Sequence, residues 1–595
     1  MHFLSKLKRP QQETDFKLTA SDHLNFGRSY NRQLNGSICK IPDSMIFRYG
    51  TAGFRYFSPL LPLIVYRIGA AMAIIVNMYS PEAYGIVFTA SHNSWRDNGV
   101  KIVYRNGLML PKQHVEFLEY FVNLSDAECH KILDTPGLLE TVLSKENSRL
   151  AAEDKELRTL KDLIDAAVNA GYDPSVSVSS KERLENKNNE KRNIVILARD
   201  TRESGEYLEQ VFELGFKRIS NNIEIFKAGY MPTATHHFLV AHFFDYEDPL
   251  ATLLNKGFDD KTPTTIHVDC ANGVGVHWVH EYFKACRHID VKLYNNDLED
   301  KKLLNNECGA DYVQSLRLRP DGIDYQAFEP YTRFYHLDGD CDRMVMTFYC
   351  DKEQLHIFDG DHLLLLFIAF IRKVYENSNG YRIGAVHTGY ANSGLILAIQ
   401  KIAEDYPCLI NIRTGTGVAK LIKGSASADM AVYFEPNGHG SILVSPCCKA
   451  EFMKSPVAPL FELTNPAIGD GIANIRAIEY MLCKLGWSTK DWLQNSFERC
   501  PTRLTKIPVN SVLKYASHPK NEEILIQPAC LQSYIEDTVR SFTTKYGNCN
   551  VFLRPSGTEN YMRLKVDMEK DDDPKALELL VSVIENGVKL VEKLL

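Results

Sequence analysis

Short apolar runs rich in β-branched residues recur along this chain, and longer stretches of helical character separate them. Gly85–Phe88, Ile194–Leu197, Ile266–Asp269 and Gly384–His387 are such runs, and each stops at a turn or polar loop. Brief runs of this kind, bounded by turns and alternating with helical segments, predict buried parallel strands in α/β layers. In such sheets ligands collect at loops past the carboxyl ends of strands. Ser91 lies three residues beyond the run ending at Phe88. Met344–Tyr349 and Ala431–Tyr433 read as further strands, Asp361 onward as an apolar helix, and 574–595 as one amphipathic helix.

The 595 residues exceed what one core organises. At about 150 residues per domain the length predicts roughly four domains. Asp173–Arg192 is rich in Ser, Asn, Lys and Glu and reads as a linker. With further boundaries near 353 and 500, the expected domains are 1–188, 189–352, 353–499 and 500–595. The sequence shows no internal repeat.

Composition narrows the function classes. A net charge of −7 and the lack of a long basic tract argue against nucleic acid as a partner. Leu363–Ile371, read as the longest wholly apolar run, has nine residues; a bilayer needs about twenty, so no membrane partner is expected. Lys6–Pro10 is basic, but no apolar run follows it, so it is not a secretory signal. The 14 cysteines include no C-x-x-C pair, and Cys447 and Cys448 are adjacent. Reduced thiols in a cytoplasmic protein are the expectation. Gly415-Thr416-Gly417 lacks the glycine spacing of a dinucleotide loop.

Four loops carry the chemistry. Thr89-Ala90-Ser91-His92-Asn93 follows a predicted strand, and Lys101 comes ten residues after Ser91. A cation and an imidazole beside a serine can neutralise a phosphoryl group and move protons. Taken alone, the segment reads more readily as a strand-to-helix turn with capping Ser and Asn. Asp338, Asp340 and Asp342 alternate around Gly339, so a tight turn can aim all three at one hard cation. Calcium in an EF-hand is excluded, because Arg343 and Tyr349 occupy the positions that need Gly and Glu. Arg343 adds a second positive contact for a phosphate.

In Glu435-Pro436-Asn437-Gly438-His439, a carboxylate and an amide two residues apart can hold neighbouring sugar hydroxyls. A plain glycine-rich turn is the alternative. Arg554-Pro555-Ser556-Gly557-Thr558, with Arg563, gathers the donors of an anion clamp.

These loops, with Arg48–Arg55, Leu197–Arg202, Val268–Gly273 and Asn306–Asp311, resemble the α-D-phosphohexomutase superfamily over nearly the whole chain. A sugar loop of the Glu-x-Asn-Gly-His-Gly type, rather than Glu-x-Ser, is similar to the branch acting on acetylated hexosamine phosphates. The resemblance implies an α/β fold of four domains around a central cleft: three of mixed α/β character and a smaller α+β domain at the C-terminus. It implies an isomerase that interconverts N-acetylglucosamine 6-phosphate and 1-phosphate through a phosphoserine and a glucosamine-type 1,6-bisphosphate, feeding UDP-N-acetylglucosamine synthesis. By the same resemblance Ser91 carries the phosphoryl group. Asp338, Asp340 and Asp342 hold one Mg2+ per chain, with an oxygen on phosphorylated Ser91 completing the cage.

Arg55, His92, Lys101 and Arg343 would surround the transferring group. Glu435 and Asn437, with Gly438 and His439, would grip the sugar. Arg554, Ser556, Gly557, Thr558 and Arg563 would hold the phosphate that is not reacting. The partner is a small phosphosugar, and the oligomeric expectation is a monomer or weak oligomer. Alternatives are a glucose or mannose phosphate mutase, a serine phosphatase, and a non-catalytic sugar-phosphate sensor. The chain departs from the common pattern at Ser94, Trp95, Cys341 and Pro436, and Cys341 is expected to make the site oxidisable.

Overall fold

The computed structural model describes residues 45–50, 53–78, 82–134, 193–350, 354–376, 380–518, 521–556, 560–569 and 574–594, with the backbone of two short strands at 33–34 and 37–38. Asp173–Arg192, the expected linker, lies outside the described residues. The chain divides into two compact units. The first is Met1–Leu253 with Asn272–Trp278 and Asp297–Asn306; the second is Leu254–Ala271 with Val279–Asn296 and Glu307–Leu595.

The first unit is built on a five-stranded sheet of β1 (Phe54–Phe57), β2 (Ala83–Phe88), β3 (Asp97–Val103), β4 (Ile194–Arg199) and β5 (Glu224–Tyr230), in the order β1-β3-β2-β4-β5. β2 and β4 are buried along their whole length and pair in parallel, as their apolar character predicts. β3 returns antiparallel between β1 and β2. Helix α1 (Leu61–Met78) belongs to the core of this unit. The run count missed it, because Arg67 breaks its apolar sequence. Ser58–Asn77 is long and apolar enough to cross a membrane, yet 89% of that window is buried. Arg67 is itself buried and caps the end of a neighbouring helix, donating to Val122 O at 2.8 Å and pairing with Asp126 at 2.7 Å.

The second unit holds three larger sheets. One comprises β6 (Thr264–Asp269), β7 (Ile289–Tyr294), β8 (Phe334–Leu337), β9 (Met344–Tyr349) and β10 (Leu355–Phe358), ordered β10-β9-β8-β6-β7. Another comprises β11 (Ile383–Thr388), β12 (Leu409–Thr414), β13 (Met430–Phe434) and β14 (Gly440–Val444), ordered β12-β11-β13-β14. The last has β15 (Thr502–Pro508), β16 (Cys549–Pro555) and β17 (Tyr561–Met568), ordered β15-β17-β16 and wholly antiparallel. Its apolar face packs on helices Ala529–Tyr546 and Pro574–Leu594, the second being the expected terminal amphipathic helix.

β6 and β11, two of the predicted parallel runs, are each flanked by parallel neighbours on both sides. Two expected boundaries need correction. β4 pairs with β2, and β5 with β4, so a break at 188/189 would cut through the first sheet. β10 pairs with β9, so a break at 352/353 would cut the second.

One arrangement recurs in the first three sheets. A central strand has a parallel neighbour on each side, and one of those neighbours runs through a loop into an antiparallel strand. The three loops so placed are 89–96 (β2 to β3), 338–343 (β8 to β9) and 435–439 (β13 to β14). The fourth loop, 556–560, likewise joins antiparallel β16 to β17. The loops 89–96, 338–343 and 435–439 are therefore each the turn of a hairpin.

Candidate active site

In the first unit the serine loop is held from below. Ser91 is buried with φ of 51°, the left-handed region that a serine seldom occupies. Its N–H donates to Thr89 Oγ1 at 2.9 Å, and Thr89 Oγ1 donates to Asp200 at 2.7 Å. Arg202 fastens the loop backbone, reaching Ser91 O at 3.1 Å, Asn93 O at 2.8 Å, Ser94 O at 2.5 Å and Asp97 O at 2.8 Å. Its remaining N–H, at Nε, meets Asp200 at 2.9 Å. Asn305 adds a bond to Ser91 O at 2.8 Å.

Cations line the adjoining strands. Arg55 on β1 is registered opposite Gly99 on β3, and Lys101 lies two residues on, so both share that face. Gly99 is required here: a Cβ would meet both Phe54 O and Thr89 O at 2.6 Å. Lys101 is only 5% exposed and has Nζ 3.5 Å from Thr233 Oγ1. His92 lies in the loop next to Ser91, partly exposed. Asp200 and Arg202 belong to the stretch Leu197–Arg202, but their residue types alone assign neither a role. Their signal was charged residues just past the apolar run Ile194–Leu197.

In the second unit the metal and sugar loops are built against one another. Asp338, Asp340 and Asp342 are buried, and one carboxylate oxygen of each lies within 4.8 Å of the others. At that separation each pair of charges repels by roughly 3 kcal/mol at an effective dielectric near 20. An all-oxygen cluster of this density suits a hard divalent cation such as Mg2+. Arg343 offsets part of the repulsion, with Nε 3.9 Å from both Asp338 and Asp342 and Nη1 3.5 Å from Asp311. Burial alone would lower its pKa, but Asp338, Asp342, Asp311 and Glu435 together raise it above the ordinary value.

Glu435 and Asn437 are partly exposed at the top of the sugar loop, with Asn437 Nδ2 3.4 Å from Glu435 Oε2. Gly438 and His439, expected to touch sugar, are buried under the metal loop. His439 Nδ1 meets Asp342 O at 2.9 Å. Gly438 has φ of 87°, and a Cβ there would sit 1.9 Å from Met344 O, so only glycine fits. These two residues join the loops rather than line a binding surface. Cys341 also departs from expectation. Its thiol is fully buried, and burial, followed by Asp338, Cys270, Asp340 and Asp470, pushes its pKa well above the usual value. A thiol so disposed is not readily oxidised.

The clamp lies on the last sheet. Arg554 and Arg563 are directly opposed on β16 and β17. Arg554 Nε donates to Tyr390 Oη at 3.0 Å and stacks over that ring. Tyr390, which the sequence did not single out, sits in the turn following β11. Ser556 is buried, and among the described residues neither its Oγ nor Arg563 Nε has a hydrogen-bond partner. Gly557 and Thr558 lie outside the described residues.

Comparisons with known proteins agree with this geometry. Residues 359–487 match the family "Phosphoacetylglucosamine mutase AMG1, domain III", and 60–126 match "Phosphoglucomutase/phosphomannomutase, alpha/beta/alpha domain I". Phosphoacetylglucosamine mutase of Sus scrofa is 29% identical, covering 92% of this chain and 95% of its own length. That of Arabidopsis thaliana is 28% identical, covering 90% and 94%. The crystal structure of Aspergillus fumigatus N-acetylphosphoglucosamine mutase with GlcNAc-6P and magnesium superposes with a TM-score of 0.74 at 26% identity, covering 97% of this chain and all of that one. An N-acetylglucosamine-phosphate mutase in its product complex gives 0.73 at 26% identity, covering 91% and 96%.

Proposed function

We infer that this chain, which belongs to the α-D-phosphohexomutase superfamily, is an isomerase that interconverts N-acetylglucosamine 6-phosphate and N-acetylglucosamine 1-phosphate. The observation that carries this reading is the buried Asp338–Asp340–Asp342 cluster joined through His439 and Gly438 to the Glu435–Asn437 turn. A cation cage and a hydroxyl-binding turn on one support fit phosphoryl transfer to a sugar. Structures of relatives contain GlcNAc-6P with magnesium and glucose 1,6-bisphosphate.

In the proposed cycle, phosphorylated Ser91 loses its Oγ–P bond as a P–O bond forms to the free hydroxyl of the bound monophosphate. That hydroxyl gives up its proton, and the product is the 1,6-bisphosphate. After the intermediate turns over, its other phosphoryl group returns to Ser91 Oγ and the isomeric monophosphate leaves. Asp338, Asp340 and Asp342 would hold Mg2+, which supplies positive charge to phosphoryl oxygens when bound. Lys101 and Arg55 contribute fixed positive charge beside the serine loop, and desolvation of Lys101 strengthens its pull on a phosphoryl group. His92 can exchange the proton with the sugar hydroxyl or with Ser91 Oγ. Arg343 stays protonated through the working pH range, because four carboxylates support it. Glu435 and Asn437 orient the sugar, and Arg554, Arg563 and Ser556 hold the distal phosphate. Phosphoryl transfer relies on positioning and charge stabilisation, which is what these residues supply.

A coupled assay with added bisphosphate and Mg2+ tests the reading. N-acetylglucosamine 6-phosphate should be turned over with higher kcat/KM than glucose or mannose 6-phosphate, and Ser91→Ala should bring turnover to background. Wild-type rates from Ser91→Ala would overturn the phosphoserine role. Preference for glucose phosphate would overturn the substrate.

A further inference from the structure

The clamp sheet carries a third cation that neither the sequence motifs nor the comparisons assign. Lys506 on β15 is registered directly opposite Arg563 on β17, which in turn opposes Arg554 on β16. Residues opposed across antiparallel strands point to one face, and neighbouring strands lie roughly 4.8 Å apart. Lys506, Arg563 and Arg554 therefore stand abreast. The other face of the same strands carries Ile507, Leu553, Met562 and Leu564 into the core.

Tyr561 forms a floor for two of the three. Lys506 Nζ lies 4.9 Å from its ring centroid and Arg563 Cζ 5.6 Å, while Arg563 Nη2 reaches its hydroxyl at 3.2 Å. Like charges directly opposed across strands destabilise a sheet. Among the described residues none of these three cations has a carboxylate within ion-pair distance. Lys565, further along the same face, is neutralised by Asp567 at 2.6 Å. Among the described residues the uncompensated charge is thus confined to one row, and it calls for an anion.

We propose that Lys506 is the third arm of the phosphate clamp, holding the non-reacting phosphate of the bisphosphate beside Arg554 and Arg563. This assignment rests on the mutase reading above. It also suits that chemistry. The clamp must accept a phosphate on either end of the sugar, and the two ends present it differently. Two planar guanidinium groups fix one geometry. A point charge on a flexible four-carbon stem at the sheet edge follows the phosphate between the two orientations.

Calorimetric titration of the full-length protein with inorganic phosphate tests the assignment, alongside the bisphosphate concentration needed for half-maximal activation. Lys506→Gln should weaken phosphate binding about three- to fivefold, as for an exposed charge contact. Lys506→Glu should weaken it by about tenfold or more, and Lys506→Arg should stay near wild type. The activation constant should rise in parallel while kcat holds, and thermal unfolding should hold or rise slightly, because Lys506 is exposed and its loss relieves repulsion from Arg563. If Arg563→Gln loses phosphate while Lys506→Gln and Lys506→Glu bind it as wild type does, the Lys506 assignment fails and the mutase reading stands. If wild type and Arg563→Gln bind phosphate equally weakly, the clamp itself fails and takes both with it.

Discussion

Arg202 shows how much of this site is built on backbone. A guanidinium has five N–H donors, and here all five are used: one on Asp200 and four on the carbonyls of Ser91, Asn93, Ser94 and Asp97. The loop these carbonyls belong to holds Ser91 in a left-handed conformation, which costs of order 1 kcal/mol or more and persists only where neighbours fix it. Lysine at this position keeps the charge but has three donors and no planar fork. Arg202→Lys should therefore leave several loop carbonyls unsatisfied and let Ser91 shift. A displacement of about 1 Å can cost around a hundredfold in rate. The expected outcome is a kcat lower by about that factor, with KM changed far less, and a lower level of phosphoserine by mass spectrometry. Unchanged kcat would show that the loop keeps its shape without the fork. Ser91 and the three aspartates were legible because their chemistry lies in side chains at short spacing. Arg202 was not, because its acceptors are carbonyls that any sequence would supply.

Among the elements, Gly415-Thr416-Gly417, whose spacing does not fit a dinucleotide loop, has a partner of another kind. This turn after β12 leads into the helix Val418–Ser425, and Glu522, on the strand Asn521–Gln527, accepts from Thr416 N at 2.9 Å. Glu522 also pairs with Lys420, and Glu523 pairs with Arg413. Burial alone would raise the Glu522 pKa, yet Lys420 and the Thr416 N–H together hold it below the usual carboxylate value. A carboxylate at a helix N-terminus gains from both the free N–H groups and the helix dipole. These contacts tie the last domain's edge hairpin to the sheet that carries the sugar loop. Removing both acids, as Glu522→Gln with Glu523→Gln, should cost about 1–2 kcal/mol locally, given their partial exposure. Amide exchange should then accelerate in 413–420 and 521–527 while β6–β9 stay protected. Uniform acceleration, or none, would mean the pairs do not act as a latch. Sequence could find the turn but not its partner, since about a hundred residues separate the two.

At the scale of the whole molecule, the four buried runs were readable from hydrophobicity, but their grouping was not. β4 follows the expected linker in sequence yet completes the sheet begun by β2, and pairing across such a gap leaves no local trace. The shared sheet plan was hidden for the same reason: in the first sheet the strands occur in a permuted chain order. Buried ionisable groups are equally silent in sequence, and in the first unit they set an acid response. His236 and His114 are buried, and burial above all lowers their pKa values to about 3 and about 4. Below pH 6.5 the unfolded chain takes up protons that these folded histidines refuse, so stability falls with pH through that window. Glu209 opposes them. Burial, only partly offset by Arg199, raises its pKa to about 7, so below pH 7 the folded state binds a proton the unfolded chain does not, until its ordinary carboxylate value is reached. Two groups lose stability and one gains it, which leaves a net loss on the order of 1 kcal/mol per pH unit between roughly 6 and 4.5. Glu209→Gln removes the opposing group, so its melting temperature should fall about twice as steeply from pH 6 to pH 4.5 as that of the wild type. His236→Gln should instead flatten the wild-type slope, whatever its stability at neutral pH, because the readout is the slope and not the starting value. Parallel profiles for all three proteins would show that these groups do not govern the acid limit.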